Sequence, residues 1–292
     1  MLRLVIPKGS LEPQTLAVLE AADLTVRRGS DRAYHGTIDD PRIERVSILR
    51  PQEIPRYVQE GFFDIGITGL DWVAETDADV EVLGELAYSG RAGGGVVKIV
   101  LAVPNDHAAQ SLADLPPDSR ISTEYPELTK RAFEAAGIPV RVYLSYGATE
   151  AKVPEIVDAV VELTETGSTL KRNGLKIIDV LLESHTVVIA NKTAAEDPEK
   201  RRAMEDLLTL IRGATSARGR VLVKMNVSED NLEKVLEILP AMKAPTISKL
   251  THEHDYAIET VVEKTRINTL IPELLQRGAS DIIELPISKI VP

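Results

Sequence analysis

The chain has 292 residues, with 34 Lys and Arg against 45 Asp and Glu, so its formal net charge is −11. An acidic chain is a poor candidate for nucleic-acid binding, because neutralising phosphates requires a basic surface. The absence of cysteine excludes disulfides, thiol nucleophiles and zinc–thiolate sites. No targeting signal and no apolar stretch of about 20 residues is present, so we expect a cytoplasmic protein without a membrane partner.

The first third of the chain alternates short apolar segments with helical patterns. Strands separated by helices are typical of a parallel α/β sheet. The predicted strands are residues 2–6, 46–49 and 63–68, and the predicted helices are 12–22, 51–60 and 71–75.

The middle third repeats this alternation and predicts a second α/β lobe. Its predicted strands are 98–103, 120–122, 140–144 and 158–163, with a helix at 125–136 and a turn leading into a helix at 148–157. We interpret residues 175–183 and 186–191 as a pair of strands.

The last third begins with a predicted linker helix at 197–217. Strands follow at 220–226, 247–250, 257–263 and 281–286, with helices at 231–239 and 268–276. This β-α-β-β-α-β order is the ferredoxin-like pattern. The sequence therefore predicts an α/β fold with lobe I at 1–95 plus about 190–217, lobe II at 96–189, and an α+β domain at 218–292.

The segment from residue 162 to residue 170 is the most informative. An apolar strand runs into a turn with hydroxyl side chains around one glycine, made of Glu165, Thr166, Gly167, Ser168 and Thr169. Backbone N–H groups in such a turn converge, and a glycine lets a phosphate approach closely. The Gly-Lys-Ser/Thr order of a P-loop is missing. The turn predicts a phosphomonoester site; the alternative is a Thr-rich helix start without a ligand.

Two carboxylates, Asp158 and Glu162, stand four residues apart just before this turn. They would repel a phosphate unless they bind something hydroxylated or cationic, and a ribose diol or a hydrated Mg²⁺ meets that need. The alternative is a pair of solvated carboxylates.

Two glycine-rich segments, 66–71 and 89–95, follow predicted strands. Ligands of open α/β sheets bind at the carboxyl ends of strands, where such turns lie. Lys8 and Arg91 would supply positive charge there for a triphosphate. Each of these features also occurs as an ordinary turn or a surface cation.

Several of these segments together resemble a known family. They are Ile-Pro-Lys-Gly-Ser-Leu at 6–11, Asp-Ile-Gly-Ile-Thr-Gly at 64–69, Glu-Thr-Gly-Ser-Thr-Leu at 165–170, Asn-Gly-Leu at 173–175, Ala-Pro-Thr-Ile at 244–247 and Gly-Ala-Ser-Asp-Ile-Ile at 278–283. The chain resembles the ATP phosphoribosyltransferases in their long form. The resemblance implies a two-lobed, periplasmic-binding-protein-like catalytic part and a ferredoxin-like (ACT/PII-like) regulatory domain.

The resemblance also implies a reaction and its site. N1 of ATP attacks C1 of 5-phosphoribosyl 1-pyrophosphate, the first step of histidine biosynthesis, with Mg²⁺ as cofactor and histidine as feedback inhibitor of a dimer or hexamer. Asp158 and Glu162 would be catalytic and could hold the metal through water, and residues 165–169 would bind the phosphoribosyl group. The implied ATP-binding residues are Lys8, Gly9, Gly66, Thr68, Gly69, Asp71, Ser89 and Arg91. The implied histidine-binding residues are Asn226, Thr246, Ser248 and Ser280.

The chain departs from the family pattern at three positions. Glu155 stands near an expected glycine, Glu162 replaces a common Asp, and Ser10 stands where an Arg often follows the glycine. Two alternative functions stay open at this stage. One is a nucleobase-salvage phosphoribosyltransferase, which shares a hydroxyl-rich phosphate loop but would lack the 66–71 turn and the C-terminal domain. The other is a non-catalytic amino-acid or small-molecule sensor.

Overall fold

The computed structural model describes residues 1–30, 32–86, 95–240, 244–252 and 254–291. The chain divides into two compact units, residues 1–208 and residues 209–292. The first unit contains a seven-stranded and a five-stranded sheet, and the second unit contains a four-stranded sheet. No helix within the described ranges is long and apolar enough to cross a bilayer.

The seven-stranded sheet forms the first lobe. Its strands are β1 (Leu2–Pro7), β2 (Val26–Arg27), β3 (His35–Ile38), β4 (Ile43–Leu49), β5 (Ile65–Gly69), β6 (Glu81–Leu86) and the returning β12 (Thr186–Ala190), in the order β2-β3-β4-β1-β5-β12-β6. The central β1 runs parallel to β4 and β5, whereas β12 runs antiparallel to both of its neighbours. The helices are α1 (Glu12–Ala21), α2 (Ile54–Gln59) and α3 (Leu70–Thr76). Prolines stand in the first turns of α1 and α2, where a missing N–H costs nothing.

The five-stranded sheet forms the second lobe. Its strands are β7 (Val97–Pro104), β8 (Ser119–Thr123), β9 (Val140–Leu144), β10 (Ala159–Thr164) and β11 (Leu175–Ser184), in the order β11-β7-β10-β8-β9. Helices α4 (Pro126–Ala135) and α5 (Ser168–Arg172) follow β8 and β10. The core contains Ile99, Leu101, Phe133 and Val161, and Trp72 from α3 of the first lobe packs into it.

Two sequence predictions are wrong in this region. The predicted strand pair at 175–183 and 186–191 does not form, because β11 pairs with β7 and β12 pairs with β5 and β6 in the other sheet. A single residue, His185, separates β11 from β12, which is too short for even a two-residue hairpin turn. The helix predicted within 148–157 is a short 3₁₀ turn, Thr149–Lys152. The short strands β2, β3 and β6 were not predicted.

Helices α6 (Lys192–Glu196) and α7 (Pro198–Ala217) follow the return strand, and the division between the two compact units falls within α7. The second unit then contains β13 (Arg220–Ser228), α8 (Glu229–Leu236), β14 (Thr246–Lys249), β15 (Asp255–Glu263), α9 (Ile267–Gln276) and β16 (Ala279–Pro286). The sheet order is β14-β15-β13-β16 and every pairing is antiparallel. The predicted ferredoxin-like pattern is therefore confirmed. Alternate residues of β13 are buried, so one sheet face packs on the two helices.

Candidate active site

The carboxyl ends of four strands, β1, β5, β8 and β10, lead into helices α1, α3, α4 and α5, β5 directly and the others through loops. Open α/β sheets bind ligands at these ends. A cavity of about 620 Å³ lies here and takes its walls from both lobes. The polar residues that line it include Ser10, Asp71, Glu124, Tyr125, Glu162 and Glu165. We call this cavity the cleft.

A second cavity, of about 500 Å³, is formed by the predicted phosphate loop. Its walls include Thr164, Glu165, Thr166, Ser168 and Thr169, together with Glu150 and Glu162. This loop cavity shares Glu162, Leu163 and Glu165 with the cleft. The two cavities therefore meet at the carboxyl end of β10.

The phosphate loop is held in shape by its own hydroxyl groups. The N–H of Gly167 donates to Thr164 Oγ1 at 2.8 Å, and the N–H of Ser168 donates to Thr166 Oγ1 at 3.4 Å. Gly167 precedes α5 with a φ of 71°, a conformation that residues with a Cβ rarely adopt. Those two N–H groups are therefore used inside the loop, and the hydroxyl-bearing residues Thr166, Ser168 and Thr169 line the cavity.

Glu162 lies where the two cavities meet, and its surroundings disfavour its charge. Burial and the neighbouring carboxylate of Glu150 raise the pKa of Glu162 to about 7, although a hydrogen bond from Thr149 and the charge of Lys152 lower it. Its Oε2 atom is buried without a hydrogen-bond partner. A buried unsatisfied oxygen costs free energy, so a ligand hydroxyl that donated to it would bind favourably.

Asp158 does not join this site, which contradicts its predicted catalytic role. It precedes β10 at the opposite end from the loop, and four residues of extended strand separate it from Glu162 by about 13 Å. Its carboxylate accepts hydrogen bonds from the guanidinium of Arg120 at 2.7 and 3.1 Å and from the Arg120 N–H at 2.8 Å. This pairing lowers the pKa of Asp158.

The first lobe contains the same arrangement, which indicates that Asp158 is structural. Asp64 precedes β5, and it accepts from the Arg3 N–H at 2.8 Å and from the Arg3 guanidinium at 3.0 and 3.2 Å. Lys200 also donates to Asp64 at 2.9 Å. In both lobes an Arg on the first parallel strand thus holds an Asp at the start of the neighbouring strand.

The predicted turn at 66–71 is instead strand β5 followed by the start of α3. A Cβ on Gly66 would lie 2.9 Å from Ile54 and Val58 of α2, so this glycine serves helix packing rather than a ligand. Thr68 is buried and donates to the carbonyl of Pro51 at 2.9 Å. These contacts contradict the predicted ATP-binding roles of Gly66 and Thr68.

Two of the predicted ATP-binding residues, Gly69 and Asp71, do line the cleft. Asp71 is 3% exposed, and burial raises its pKa. Its Oδ1 accepts from the Ser184 hydroxyl at 2.7 Å and its Oδ2 accepts from the Tyr125 hydroxyl at 2.8 Å. Tyr125 and Ser184 were not among the predicted site residues, although Tyr125 follows the carboxyl end of β8, the kind of position at which the other candidate turns were predicted.

Lys8 and Gly9 follow β1, but neither is among the described residues that line the cleft. The Lys8 ammonium lies 4.0 Å from the centre of the Tyr34 ring, a cation–π contact. Gly9 has a φ of +90°, which favours glycine. The remaining predictions, Ser89 and Arg91, lie outside the described residues. Of the two other departures from the family pattern, Ser10 lines the cleft and Glu155 is exposed.

The four predicted histidine-binding residues lie in the second unit. Ser280, Asn226 and Ser248 fall in one row across the sheet, because Ser280 pairs with Asn226, Asn226 with Ala257, and Ala257 with Ser248. The row spans three strand spacings, or about 14 Å. The Asn226 amide and the Ser280 hydroxyl both donate to Asp281. Asn226 and Ser280 are thus brought together, whereas Thr246 and Ser248 lie on the far strand β14.

A metal ion at this site would need ligands from a substrate in addition to those from the protein. In the part of the chain that the structure describes, no three His, Asp or Glu side chains converge to hold a metal ion. Carboxylates are nevertheless suitable ligands for Mg²⁺, which commonly binds one or two of them together with substrate phosphates. Glu162, with its unpartnered oxygen, fits that mode, and Asp158 does not, because Arg120 occupies both of its oxygens.

Two family models and several full-length relatives match this chain. The family model described as ATP phosphoribosyltransferase matches residues 50–213, and the model described as HisG, C-terminal domain, matches residues 217–289. ATP phosphoribosyltransferases of Pelotomaculum thermopropionicum and Desulforudis audaxviator are each 45% identical to this chain, over 100% of this chain and 99% of their own length.

A solved structure adds to these relatives. The ATP phosphoribosyl transferase (HisG:HisZ) complex of Thermotoga maritima matches with a TM-score of 0.62 and 27% identity, over 72% of this chain and 98% of that chain. The full-length matches favour an ATP phosphoribosyltransferase over the salvage phosphoribosyltransferase and over the sensor. The chain belongs to the ATP phosphoribosyltransferase family, the pentosyltransferases of the first step of histidine biosynthesis.

Proposed function

We propose that the chain transfers the phosphoribosyl group of 5-phosphoribosyl 1-pyrophosphate to N1 of the adenine ring of ATP. The bond between C1 and the pyrophosphate oxygen breaks, the C1–N1 bond forms, and pyrophosphate leaves. The observation that carries this proposal is the wall that the two cavities share at Glu162, Leu163 and Glu165. A phosphoribosyl group in the loop cavity and a nucleotide in the cleft would meet there.

In this arrangement the hydroxyl groups of Thr166, Ser168 and Thr169 bind the 5-phosphate, and Glu162 accepts hydrogen bonds from the ribose hydroxyls. The unpartnered Oε2 of Glu162 supports this role. ATP lies across the cleft, along Ser10, Gly69 and the residues around Asp71.

The chemistry requires positioning more than acid–base catalysis. N1 of adenine carries its own lone pair, so no residue needs to remove a proton from it. A positive charge develops on the ribose as the pyrophosphate departs, and an ionised Glu162 beside it stabilises that charge. Holding N1 and C1 in contact supplies much of the remaining rate increase.

We include Mg²⁺ as the cofactor, because both substrates are polyanions and the loop cavity is lined by Glu150, Glu162 and Glu165. When bound, Mg²⁺ offsets the charge of the pyrophosphate leaving group. Glu162 would hold it, directly or through water, together with the phosphates of the substrate.

For the second unit we propose feedback inhibition by histidine. Asn226 and Ser280 beside Asp281 offer an acceptor for an ammonium group, and Thr246 and Ser248 offer hydroxyl donors for a carboxylate. The ends of the row, Ser280 and Ser248, are about 14 Å apart. Within a single chain, one histidine would therefore contact either the pair Asn226 and Ser280 or the pair Thr246 and Ser248. We expect assembly into dimers and hexamers and action in the cytoplasm.

The reaction is tested by mixing the purified chain with ATP, 5-phosphoribosyl 1-pyrophosphate and Mg²⁺ and recording the ultraviolet-absorbing adduct. GTP is the matched control, because N1 of guanine carries a proton and lacks the free lone pair; it should give no adduct. Absence of adduct from ATP, alongside intact histidine binding, would contradict the proposed activity and favour a sensor.

Inhibition is tested by repeating the assay with histidine, using the full chain and a chain that ends at Arg218. Histidine should slow the full chain and leave the shortened chain unaffected. Equal inhibition of both would place the histidine site outside the second unit.

A further inference from the structure

Glu124 stands beside Glu162 at the carboxyl edge of the second-lobe sheet. Strand β8 runs parallel to β10, with Thr123 paired to Val161. The next residues along the two strands, Glu124 and Glu162, therefore lie side by side, about 4.8 Å or one strand spacing apart. Both are half-buried and both line the cleft. The charge of Glu124 also contributes to the raised pKa of Glu162, after burial and the charge of Glu150, which agrees with this closeness.

The carboxylate of Glu124 is not used by the fold. Within the described ranges of the chain, no side chain and no backbone N–H forms a hydrogen bond or an ion pair with it. By contrast, the carboxylate of Asp71 in the same cleft accepts from the hydroxyl groups of Tyr125 and Ser184. Polar groups that are partly removed from water bind favourably to a ligand that satisfies them. Glu124 is thus a carboxylate of the cleft that can accept hydrogen bonds from a ligand.

The chemistry of the proposed reaction brings the amino group of adenine to this pair of carboxylates. The ribose hydroxyls donate to Glu162, and N1 of adenine must reach C1 of the same ribose. The 2-hydroxyl is attached to the carbon next to C1, and the amino nitrogen N6 is attached to the carbon next to N1. The two donors therefore flank the forming bond, and Glu162 and Glu124 are two acceptors that stand side by side.

We propose that Glu124 accepts a hydrogen bond from the N6 amino group of ATP, selects adenine and stabilises the transition state. This inference rests on the proposed function, because it takes the position of the ribose from Glu162. Carboxylates accept hydrogen bonds from the exocyclic amino groups of bases, and an ionised acceptor forms the stronger hydrogen bond. A base with an oxygen at this position would set a lone pair against the carboxylate and bind poorly.

Glu124 also acts on the charge that the reaction creates. The lone pair of N1 forms the bond to C1, and the electron pair of the C1–O bond leaves with pyrophosphate. N6 keeps both of its protons, so the adenine ring gains a positive charge that N1 and N6 share. An ionised carboxylate at N6 interacts more strongly with this developing charge than with neutral adenine, so it raises kcat as well as binding ATP.

The experiment compares two nucleotides on three forms of the full chain, the unmodified chain, Glu124→Gln and Glu127→Gln. The nucleotides are ATP and purine riboside triphosphate, which keeps the lone pair on N1 but carries hydrogen in place of the amino group. Glu124→Gln should lower kcat/KM for ATP at least about tenfold and change kcat/KM for the analogue by less than about twofold. A general disturbance of the cleft would lower both values alike.

Two further measurements sharpen the comparison. Glu127→Gln is the matched control, because the Glu127 carboxylate pairs with Lys130 at 2.7 Å and Glu127 is not among the described residues that line the cleft. It should leave the values for both nucleotides unchanged. The analogue is also measured as a competitive inhibitor against ATP, so that it reports on binding even where its turnover is slow. Glu124→Gln should raise the KM for ATP and leave this inhibition constant within about twofold.

Two outcomes would overturn the role of Glu124. One is an unchanged kcat/KM for ATP in Glu124→Gln. The other is an equal loss for ATP and for the analogue, in turnover or in binding, which would show that Glu124 supports the cleft as a whole and does not contact N6. If the unmodified chain itself forms no adduct with ATP, the proposed function fails and this inference fails with it. If the unmodified chain is active, the variants decide the role of Glu124 alone.

Discussion

The Tyr125 hydroxyl donates a hydrogen bond of 2.8 Å to Oδ2 of Asp71, and the two residues belong to different lobes. Asp71 stands in the first turn of α3, after the first-lobe strand β5, and Tyr125 directly precedes α4, after the second-lobe strand β8. Ser184 at the end of β11 occupies the other carboxylate oxygen. The two lobes are therefore joined by a buried hydrogen bond at the wall of the cleft.

This link continues along α3. Trp72 stacks on Tyr125 with ring centres 4.6 Å apart, and it packs into the core of the second lobe. Glu75 accepts from the N–H groups of Glu127 and Leu128 at 3.1 and 2.8 Å, which satisfies two free donors at the start of α4. A helix that follows a first-lobe strand thus anchors the second lobe and fixes the spacing of the cleft walls.

Tyr125→Phe should destabilise the protein. The substitution removes one donor from the buried carboxylate of Asp71, and leaving such a group unsatisfied costs about 1–3 kcal/mol. Urea unfolding measures the loss in the free energy of unfolding. Tyr57→Phe is the control, since the Tyr57 hydroxyl makes a 3.4 Å hydrogen bond to the exposed Glu53, and it should cost less than about 0.5 kcal/mol. Equal losses would refute the importance of the link between the lobes.

Asp158→Asn and Glu162→Gln should separate a structural carboxylate from a catalytic one. Asp158→Asn weakens the pairing with Arg120, which holds the start of β10, so it should lower stability while kcat/KM stays within about threefold. Glu162→Gln removes the charge beside the ribose and should lower kcat/KM by at least about tenfold. Steady-state kinetics distinguish the two, and a larger loss of activity in Asp158→Asn would restore its predicted catalytic role.

Gly167→Ala and Gly174→Ala should differ in activity but not in backbone strain. Both glycines have positive φ, +71° and +73°, so each alanine should cost about 1–2 kcal/mol of stability. At Gly167 the new Cβ would lie 3.1 Å from Ile177 Cδ1, whereas nothing lies within 4 Å at Gly174. Only Gly167→Ala should raise the KM for 5-phosphoribosyl 1-pyrophosphate. Equal KM values would count against the phosphate-loop assignment.

The free energy of unfolding should depend on pH through the titration of Glu162. Burial and Glu150 raise its pKa from 4.5 to about 7 in the folded chain, so between these values the folded state binds more protons than the unfolded state. The contribution of Glu162 to the free energy of unfolding therefore falls as pH rises from about 4.5 to about 7, and it is constant above. Comparing urea unfolding of the unmodified chain and Glu162→Gln across this range isolates that slope.

Substrate binding should become tighter as pH rises, whereas the contribution of Glu162 to stability falls. Ribose hydroxyls donate to the ionised carboxylate, so the KM for 5-phosphoribosyl 1-pyrophosphate should fall as pH rises through about 7, the pKa of Glu162. In Glu162→Gln this KM should not follow pH in that range. A pH response that survives the substitution would assign the titration to another group.

Local sequence patterns predicted much of the fold. The strands around residues 98–103 and 140–144 and the ferredoxin-like order after residue 218 follow from apolar periodicity and turn residues, which need no distant partner. The turn predicted at residues 66–71 was wrong, because two glycines in six residues suggest a turn. Gly66 is small for another reason, the close approach of α2 to β5, and that approach depends on packing between elements.

By itself the sequence determined the order of the elements, the hydroxyl-rich loop at residues 165–169 and the family to which the chain belongs, because short motifs and local periodicity are written in neighbouring residues. Only the tertiary structure decided that β11 and β12 enter different sheets, that Asp158 meets Arg120 instead of a substrate, and that Tyr125 reaches Asp71. The physical reason is that these contacts join residues tens of positions apart. They depend on strand order and on which side chains meet after packing, and neither is encoded in any local window of the chain.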